Sequence, residues 1–122
     1  MCGILGIQTK TLPVSTQLLE EMTRTLAHRG PDAQKCEFFP EHNVGLGHTR
    51  LSIIDLTESG SQPMSNREGS IWIVFNGEIY NHVQLRQQLQ SRGHKFSGSS
   101  DTEVIIHSYQ EWGTDCVKKF VN

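Results

Sequence analysis

The sequence predicts an α+β fold, and three observations carry that reading. Leu18, Leu19, Met22 and Leu26 recur at helical spacing. Short β-prone apolar runs stand apart from them, notably residues 2–8 and Ile71-Trp72-Ile73-Val74-Phe75. Glycine and proline punctuate the chain between these stretches.

Taken in order, residues 2–8 read as a strand, and Lys10 to Val14, with Pro13, as a loop. Ser15 suits a helix N-cap, and Gly30-Pro31 should stop that helix near His28. Cys36, Phe38 and Phe39 predict a second strand ending at Pro40, and residues 44–48 a third. Leu51-Ser52-Ile53-Ile54 reads as a further extended piece, and Thr57 to Gly69 as a loop rich in Ser, Gly, Asn and Pro. The continuous apolar run Ile71 to Phe75 predicts a strand covered on both faces. Val83, Leu85 and Leu89 then mark a short helix, with Gly93 as its C′ residue. Ser100-Asp101-Thr102-Glu103 is a capping box, and Val104, Ile105, Tyr109 and Trp112 supply the apolar stripe of the helix it opens. Gly113 ends that helix, and a last short one should run from about Asp115 to the C-terminus. No repeat, low-complexity tract or linker divides the chain.

Composition narrows the function classes. With 122 residues the chain is sized for one modest domain. A net charge of −2 gives no electrostatic reason for a nucleic-acid partner. No apolar run is long enough for a membrane span, and the start lacks the pattern of a secretory signal. The three cysteines, Cys2, Cys36 and Cys116, are odd in number and widely spaced, which fits a reducing cytoplasm. Cys36 and Cys116 read as inert packing residues. No CxxC pair exists and no two histidines stand at an i, i+4 spacing, so no metal site is expected.

The chemistry gathers around the first residues. Once Met1 is removed, Cys2 bears a thiol and a free α-amine on one carbon. A thiolate is the strongest side-chain nucleophile near neutrality, and an α-amine titrates at about 7.7–8.0 in model compounds. One residue thus supplies nucleophile and base. A thiolate attacking a carboxamide forms a tetrahedral oxyanion that needs aimed donors. Asn76 offers a side-chain N–H, and Gly77 a backbone N–H that a substrate can approach closely. If the substrate is a free amino acid, its carboxylate wants a guanidinium fork, which Arg50 could provide. Its ammonium wants a carboxylate, from Asp101 or Glu78. Each cluster alone has a bland explanation: a turn salt bridge between Arg29 and Asp32, an Asn-Gly turn, or an acidic helix start at Asp101. Together they are what hydrolysis of free glutamine requires.

Five stretches, Met1-Cys2-Gly3-Ile4, His28-Arg29-Gly30-Pro31-Asp32, Arg50-Leu51-Ser52-Ile53-Ile54-Asp55, Gln62-Pro63-Met64 and Asn76-Gly77-Glu78-Ile79-Tyr80-Asn81, resemble the class II glutamine amidotransferases. The nearest likeness is to the N-terminal domain of the glutamine-hydrolysing asparagine synthetase family. Ser100-Asp101-Thr102-Glu103 and Tyr109 to Gly113 continue it, so the resemblance covers residues 1–122.

That resemblance implies an N-terminal-nucleophile (Ntn) hydrolase fold, a four-layer αββα sandwich of antiparallel sheets, incomplete in this chain. It implies a Cys2 thioester, ammonia release, and hydrolysis to glutamate. It gives Asn76 and Gly77 the oxyanion hole, Arg50 the α-carboxylate, Glu78 and Asp101 the α-amine, and the backbone around Leu51 and Ile53 the pocket wall. His48, His82 and His107 receive no role and read as structural or surface residues. No cofactor is expected in this domain. ATP and Mg belong to a synthetase domain of the same parent chain, expected beyond Asn122, which would use the ammonia to amidate aspartate. Glutamine and that domain are the expected partners, with no nucleic acid, no membrane, a cytoplasmic location and room for a homodimer of the parent. Stopping at Asn122, the chain is expected to lack further strands, which would leave sheet edges unpaired and an apolar face uncovered. Two alternatives stand beside this reading: a catalytically silent binding or scaffold fragment, and an amidotransferase serving a different acceptor.

Overall fold

The computed structural model describes residues 1–51 and 60–122. The described residues form two compact units. The first holds residues 1–51 with Val74–Asn76, the second residues 60–73 with residues 77–122. The sequence shows no linker that marks this division.

In the first unit, strands β1 (Gly3–Gln8), β2 (Ala33–Phe39) and β3 (Val44–Arg50) form an antiparallel sheet in the order β1-β3-β2. Gly3 stands opposite Thr49 and Gln8 opposite Val44; Ala33 stands opposite Arg50 and Phe39 opposite Val44. Helix α1 (Thr16–Arg24) packs on this sheet. Ser15 caps it as expected, its side chain accepting the Leu18 N–H at 3.2 Å. The helix ends at Arg24, earlier than predicted. Three-residue turns carry the chain onward, with Leu26 N–H donating to Thr23 and Gly30 N–H to Ala27. Thr23 and Thr25 help to close it there, each hydroxyl bonding back to a carbonyl of the preceding turn.

The helix lies close against β3 because Gly45 faces Leu19. A methyl group at Gly45 would come within 2.9 Å of the Leu19 side chain, which is fully buried. The neighbouring contact is polar: Thr23, also fully buried, donates to the Leu19 carbonyl at 2.7 Å, and the Cys36 thiol donates to its hydroxyl at 3.3 Å.

In the second unit, β4 (Met64–Ser65) and β5 (Trp72–Ile73) form a two-stranded antiparallel ladder. Helices α2 (His82–Ser91) and α3 (Asp101–Trp112) pack on each other, and a 3-10 segment, Gly113–Lys119, packs on α3. Leu85, Leu89, Val104, Ile106, Ile79 and Cys116 make the core. Gly93 and Gly113 follow the helix ends with φ of 95° and 59°. The terminal stretch is clasped by Asn81, whose side chain donates to the Lys119 carbonyl and accepts the Val121 N–H, while Tyr80 N–H donates to the Val121 carbonyl.

Several expectations change here. The loop from Thr57 to Gly69 contains β4, and its residues 57–59 lie outside the described part, as do residues 52–54 of the extended piece predicted after Leu51. Only Trp72–Ile73 of the apolar run is a strand, and Ile71 to Phe75 are half-buried rather than covered on both faces. Among the described residues β5 pairs with β4 alone. With Ile105, Tyr109, Val117 and Phe120 it lines an apolar groove. The buried face of α3 is Thr102, Val104, Ile106 and Ser108, so Tyr109 is exposed instead of facing the core. The final helix is 3-10 and stops at Lys119.

Candidate active site

Register places Cys2 and Arg50 at one end of the first unit's sheet. Cys2 precedes Gly3, Arg50 follows Thr49, and Gly3 and Thr49 are partners. Their faces follow from the two-residue period of a strand. Gly45 meets Leu19, and Thr49 donates its hydroxyl to the Leu26 carbonyl at 3.1 Å, so these residues face α1 and the turns that follow it. Leu46, His48 and Arg50 alternate with them and face the other way. On β1, Gly3 lies against Leu26, so Cys2 belongs to the face turned from α1. Nucleophile candidate and guanidinium therefore share one face and one end of a sheet.

Both backbones are held. The Cys2 carbonyl accepts Arg29 Nε–H at 3.2 Å, and Gly3 N–H donates to the Thr49 hydroxyl at 3.1 Å. Thus Arg29 holds Cys2, where the sequence suggested a turn salt bridge to Asp32. Asp32 contributes through its backbone, its N–H donating to the Arg50 carbonyl at 3.0 Å. Gly30 makes that approach feasible: a methyl group there would stand 2.5 Å from the Arg50 nitrogen and from the Thr49 carbonyl carbon. The Gly30-Pro31 pair thus does more than end a helix. Leu51, half-buried, follows directly after β3.

Asn76 belongs to the same unit and is exposed. His48, two residues before Arg50 on β3, is only 2% exposed. Burial chiefly, then the Arg50 guanidinium, push its pKa below the usual value, with a backbone hydrogen bond at Phe75 offsetting part of this. His48 is therefore structural, as expected, but it lies on the Arg50 face. Its i, i+2 spacing from Arg50 was the available sequence signal.

Gly77, Glu78 and Asp101 belong to the second unit. Gly77 and Glu78 are exposed, and Asp101 is the first residue of α3. The Asp101 carboxylate accepts the Ile79 N–H at 2.9 Å, so the Gly77-Glu78-Ile79 stretch is anchored to the helix start. The capping box forms by half. Ser100 accepts the Glu103 N–H at 3.2 Å, but the Glu103 carboxylate accepts the Ser97 and Gly98 N–H groups at 2.6 and 2.8 Å. Ile53 lies outside the described residues.

The unit also holds a histidine pair that the sequence reading did not find. His94 and His107 meet Nδ1 to Nδ1 at 3.0 Å, and His94 Nε2 bonds Glu111 at 2.8 Å. The pair joins the loop after α2 to α3 across 13 positions of sequence, a separation no local pattern reports. Cys116 is buried, which pushes its thiol pKa up, as befits an inert packing residue.

Mixed helices and antiparallel sheets, with no closed barrel among the described residues, make this an α+β architecture. A glutamine amidotransferase domain model matches residues 1–122, and the chain belongs to that family. It is 46% identical over 121 residues to glutamine-hydrolyzing asparagine synthetase 3 of Bacillus subtilis (strain 168), covering 96% of this chain and 19% of that protein. It is 40% identical over 123 residues to asparagine synthetase 1 of the same organism, covering 98% of this chain and 19% of the relative. It is also 44% identical over 124 residues to amidase chry2 of Gibberella zeae, covering 93% of this chain and 18% of that protein. The chain spans about a fifth of the length of these relatives.

Proposed function

We propose that the chain is the glutaminase portion of an asparagine-synthetase-type amidotransferase. One observation carries the proposal: Cys2 and Arg50 occupy the same end and the same face of one sheet, with both backbones fixed. After removal of Met1, which is well exposed, the Cys2 α-amine takes the thiol proton and the thiolate attacks the glutamine δ-carbonyl. The Asn76 side-chain amide and the Gly77 N–H stabilise the oxyanion. Collapse expels ammonia, which takes a proton from the Cys2 ammonium, and leaves a γ-glutamyl thioester. Water then attacks the thioester and releases glutamate. Arg50 holds the α-carboxylate by a bidentate contact, Glu78 and Asp101 hold the α-ammonium, and the backbone around Leu51 and Ile53 is assigned to the pocket lining.

The ammonia is consumed by an ATP- and Mg-dependent synthetase domain of the parent chain, with aspartate as acceptor. The names of the Bacillus subtilis relatives support this acceptor. The test is glutamate release. Cys2→Ala should abolish it while leaving ammonia-driven synthesis by the parent intact; glutamate release that survives the change rules out the thioester route.

A further inference from the structure

The loop that leads into α3 is gripped from both neighbouring helices, and the proposed mechanism assigns that grip no task. Arg86, half-buried on α2, reaches the loop at three points. Its Nη1 donates to the Gly98 carbonyl at 2.7 Å and its Nη2 to the Ser100 carbonyl at 3.0 Å. Its guanidinium carbon stands 4.3 Å from the centre of the Phe96 ring, within cation–π range. From the α3 side, Glu103 accepts the Gly98 N–H at 2.8 Å, so both backbone groups of Gly98 are held. Ser100 is the N-cap residue directly before Asp101, and the Asp101 carboxylate accepts the Ile79 N–H at 2.9 Å. All of these residues belong to the second unit. A rigid fork with two separate N–H groups suits two carbonyls set two residues apart; the compact ammonium of lysine is a point charge without that geometry.

We propose that Arg86 is a positioning residue for glutamine recognition: its guanidinium fixes the Gly98 and Ser100 carbonyls and so sets where the Asp101 carboxylate stands. The recognition part rests on the proposed glutaminase reading, in which Asp101 meets the α-ammonium; the brace itself does not. The α-ammonium takes no part in the bond changes at the δ-carbonyl. A displaced Asp101 should therefore raise the glutamine KM and leave kcat nearly unchanged.

Substitutions at Arg86, alone and combined with Asp101→Asn, test this on the purified protein. Arg86→Met keeps an unbranched stem and removes both bonds; Arg86→Lys keeps the charge without the fork. Amide hydrogen exchange at Ile79 should quicken in Arg86→Met. Exchange at Leu85, whose N–H donates to the Asn81 carbonyl at the start of α2, should stay near wild type. A packing role for Arg86 predicts that both quicken together, and that result overturns the inference. In glutamate release, Arg86→Met should raise the glutamine KM about tenfold, the scale of one weakened charged hydrogen bond, with kcat within about threefold of wild type. Arg86→Lys should fall between, and it carries the same readouts if the methionine variant does not fold. In the Asp101→Asn background, Arg86→Met should add no more than about twofold, because its effect passes through a carboxylate already removed. A larger factor there means that the two residues act independently and overturns the inference. So does a wild-type KM in either Arg86 variant, which leaves the proposed function standing. If Ile79 exchange quickens alone but the wild type releases no glutamate, the proposed function fails and the brace stands.

Discussion

The Asp101 carboxylate accepts the backbone N–H of Ile79 at 2.9 Å. Asp101 begins α3, and Ile79 is buried immediately after the exposed Gly77-Glu78 pair. One side chain thus sets the path of the Gly77-Glu78-Ile79 backbone and, with its other oxygen, offers negative charge. The two duties can be separated. Asp101→Asn keeps an oxygen for the Ile79 N–H but loses the charge. Its folding stability should change by less than about 1 kcal/mol, while the glutamine KM rises roughly tenfold or more, the scale of a lost charged hydrogen bond. Asp101→Ala should lose stability as well, because the Ile79 donor is left unpaired. Urea midpoints and steady-state kinetics on both variants check this; equal KM values for Asp101→Asn and wild type would remove Asp101 from the ammonium site.

Arg50 carries the matching expectation for the carboxylate. Losing a charge-assisted hydrogen bond costs about 1.5–3 kcal/mol, so Arg50→Ala should raise the glutamine KM roughly tenfold to 150-fold. Lysine should rescue poorly, because the bidentate fork is lost. Glutamine titrations of the initial rate decide it, and an unchanged KM contradicts the assignment.

Gly30 should be intolerant of a side chain for a reason local to the site. Its added methyl would strike the Arg50 nitrogen, which is backbone and cannot swing aside. Gly30→Ala should cost about 1–3 kcal/mol and raise the glutamine KM through the displaced Arg50. Gly6→Ala serves as control: its methyl would meet only Leu46 at an ordinary 3.8 Å, and its effect should stay within about 0.5 kcal/mol. Urea denaturation of the two variants side by side makes the comparison.

Acid should weaken the fold through two histidines, one buried and one partly buried. His107 is held below its usual pKa first by burial, then by His94 and Arg86, with Glu103 partly offsetting them. His48 is lowered too, by burial and Arg50. A histidine whose folded pKa lies below the unfolded value of about 6.5 binds fewer protons folded than unfolded. Its contribution is complete above pH 6.5 and is lost as pH falls below it. The Nδ1–Nδ1 bond between His94 and His107 needs one N–H and one lone pair, so it cannot survive with both rings fully protonated. Glu111 is shifted down by His94 and Arg92, and its contribution is lost in a more acidic window. Thermal melts should therefore be flat from pH 8 to 7 and fall below about 6.5. His107→Gln should shallow that fall; a Tm that rises on acidification contradicts it.

The legible parts of the fold were those fixed by local chemistry. Ser15 and Ser100 cap their helices because a hydroxyl before a helical run has one nearby donor to satisfy. Gly93 and Gly113 mark helix ends for the same local reason. What was misread depended on distant partners. The run Ile71 to Phe75 looks like a covered strand because its side chains are apolar, but apolar character does not say what lies against it. Glu103 satisfied the capping pattern, yet its carboxylate turns to Ser97 and Gly98, two donors supplied by the incoming loop. Within the site, Cys2 and Arg50 stand out by residue type, and their common face follows from strand register that only the paired sheet reveals. Arg29 reads locally as half of a turn salt bridge because the carbonyl it holds, that of Cys2, lies far along the chain.

The central claim is that a processed Cys2 is the nucleophile, and a diazoketone analogue of glutamine tests it most directly. Intact-mass and peptide mapping should show one equivalent of label, on Cys2, in protein that has lost Met1. Cys36 and Cys116 should stay unlabelled, and excess glutamine should slow the reaction. Folded, Met1-free protein in which Cys2 remains unmodified while glutamate is still released would contradict the claim.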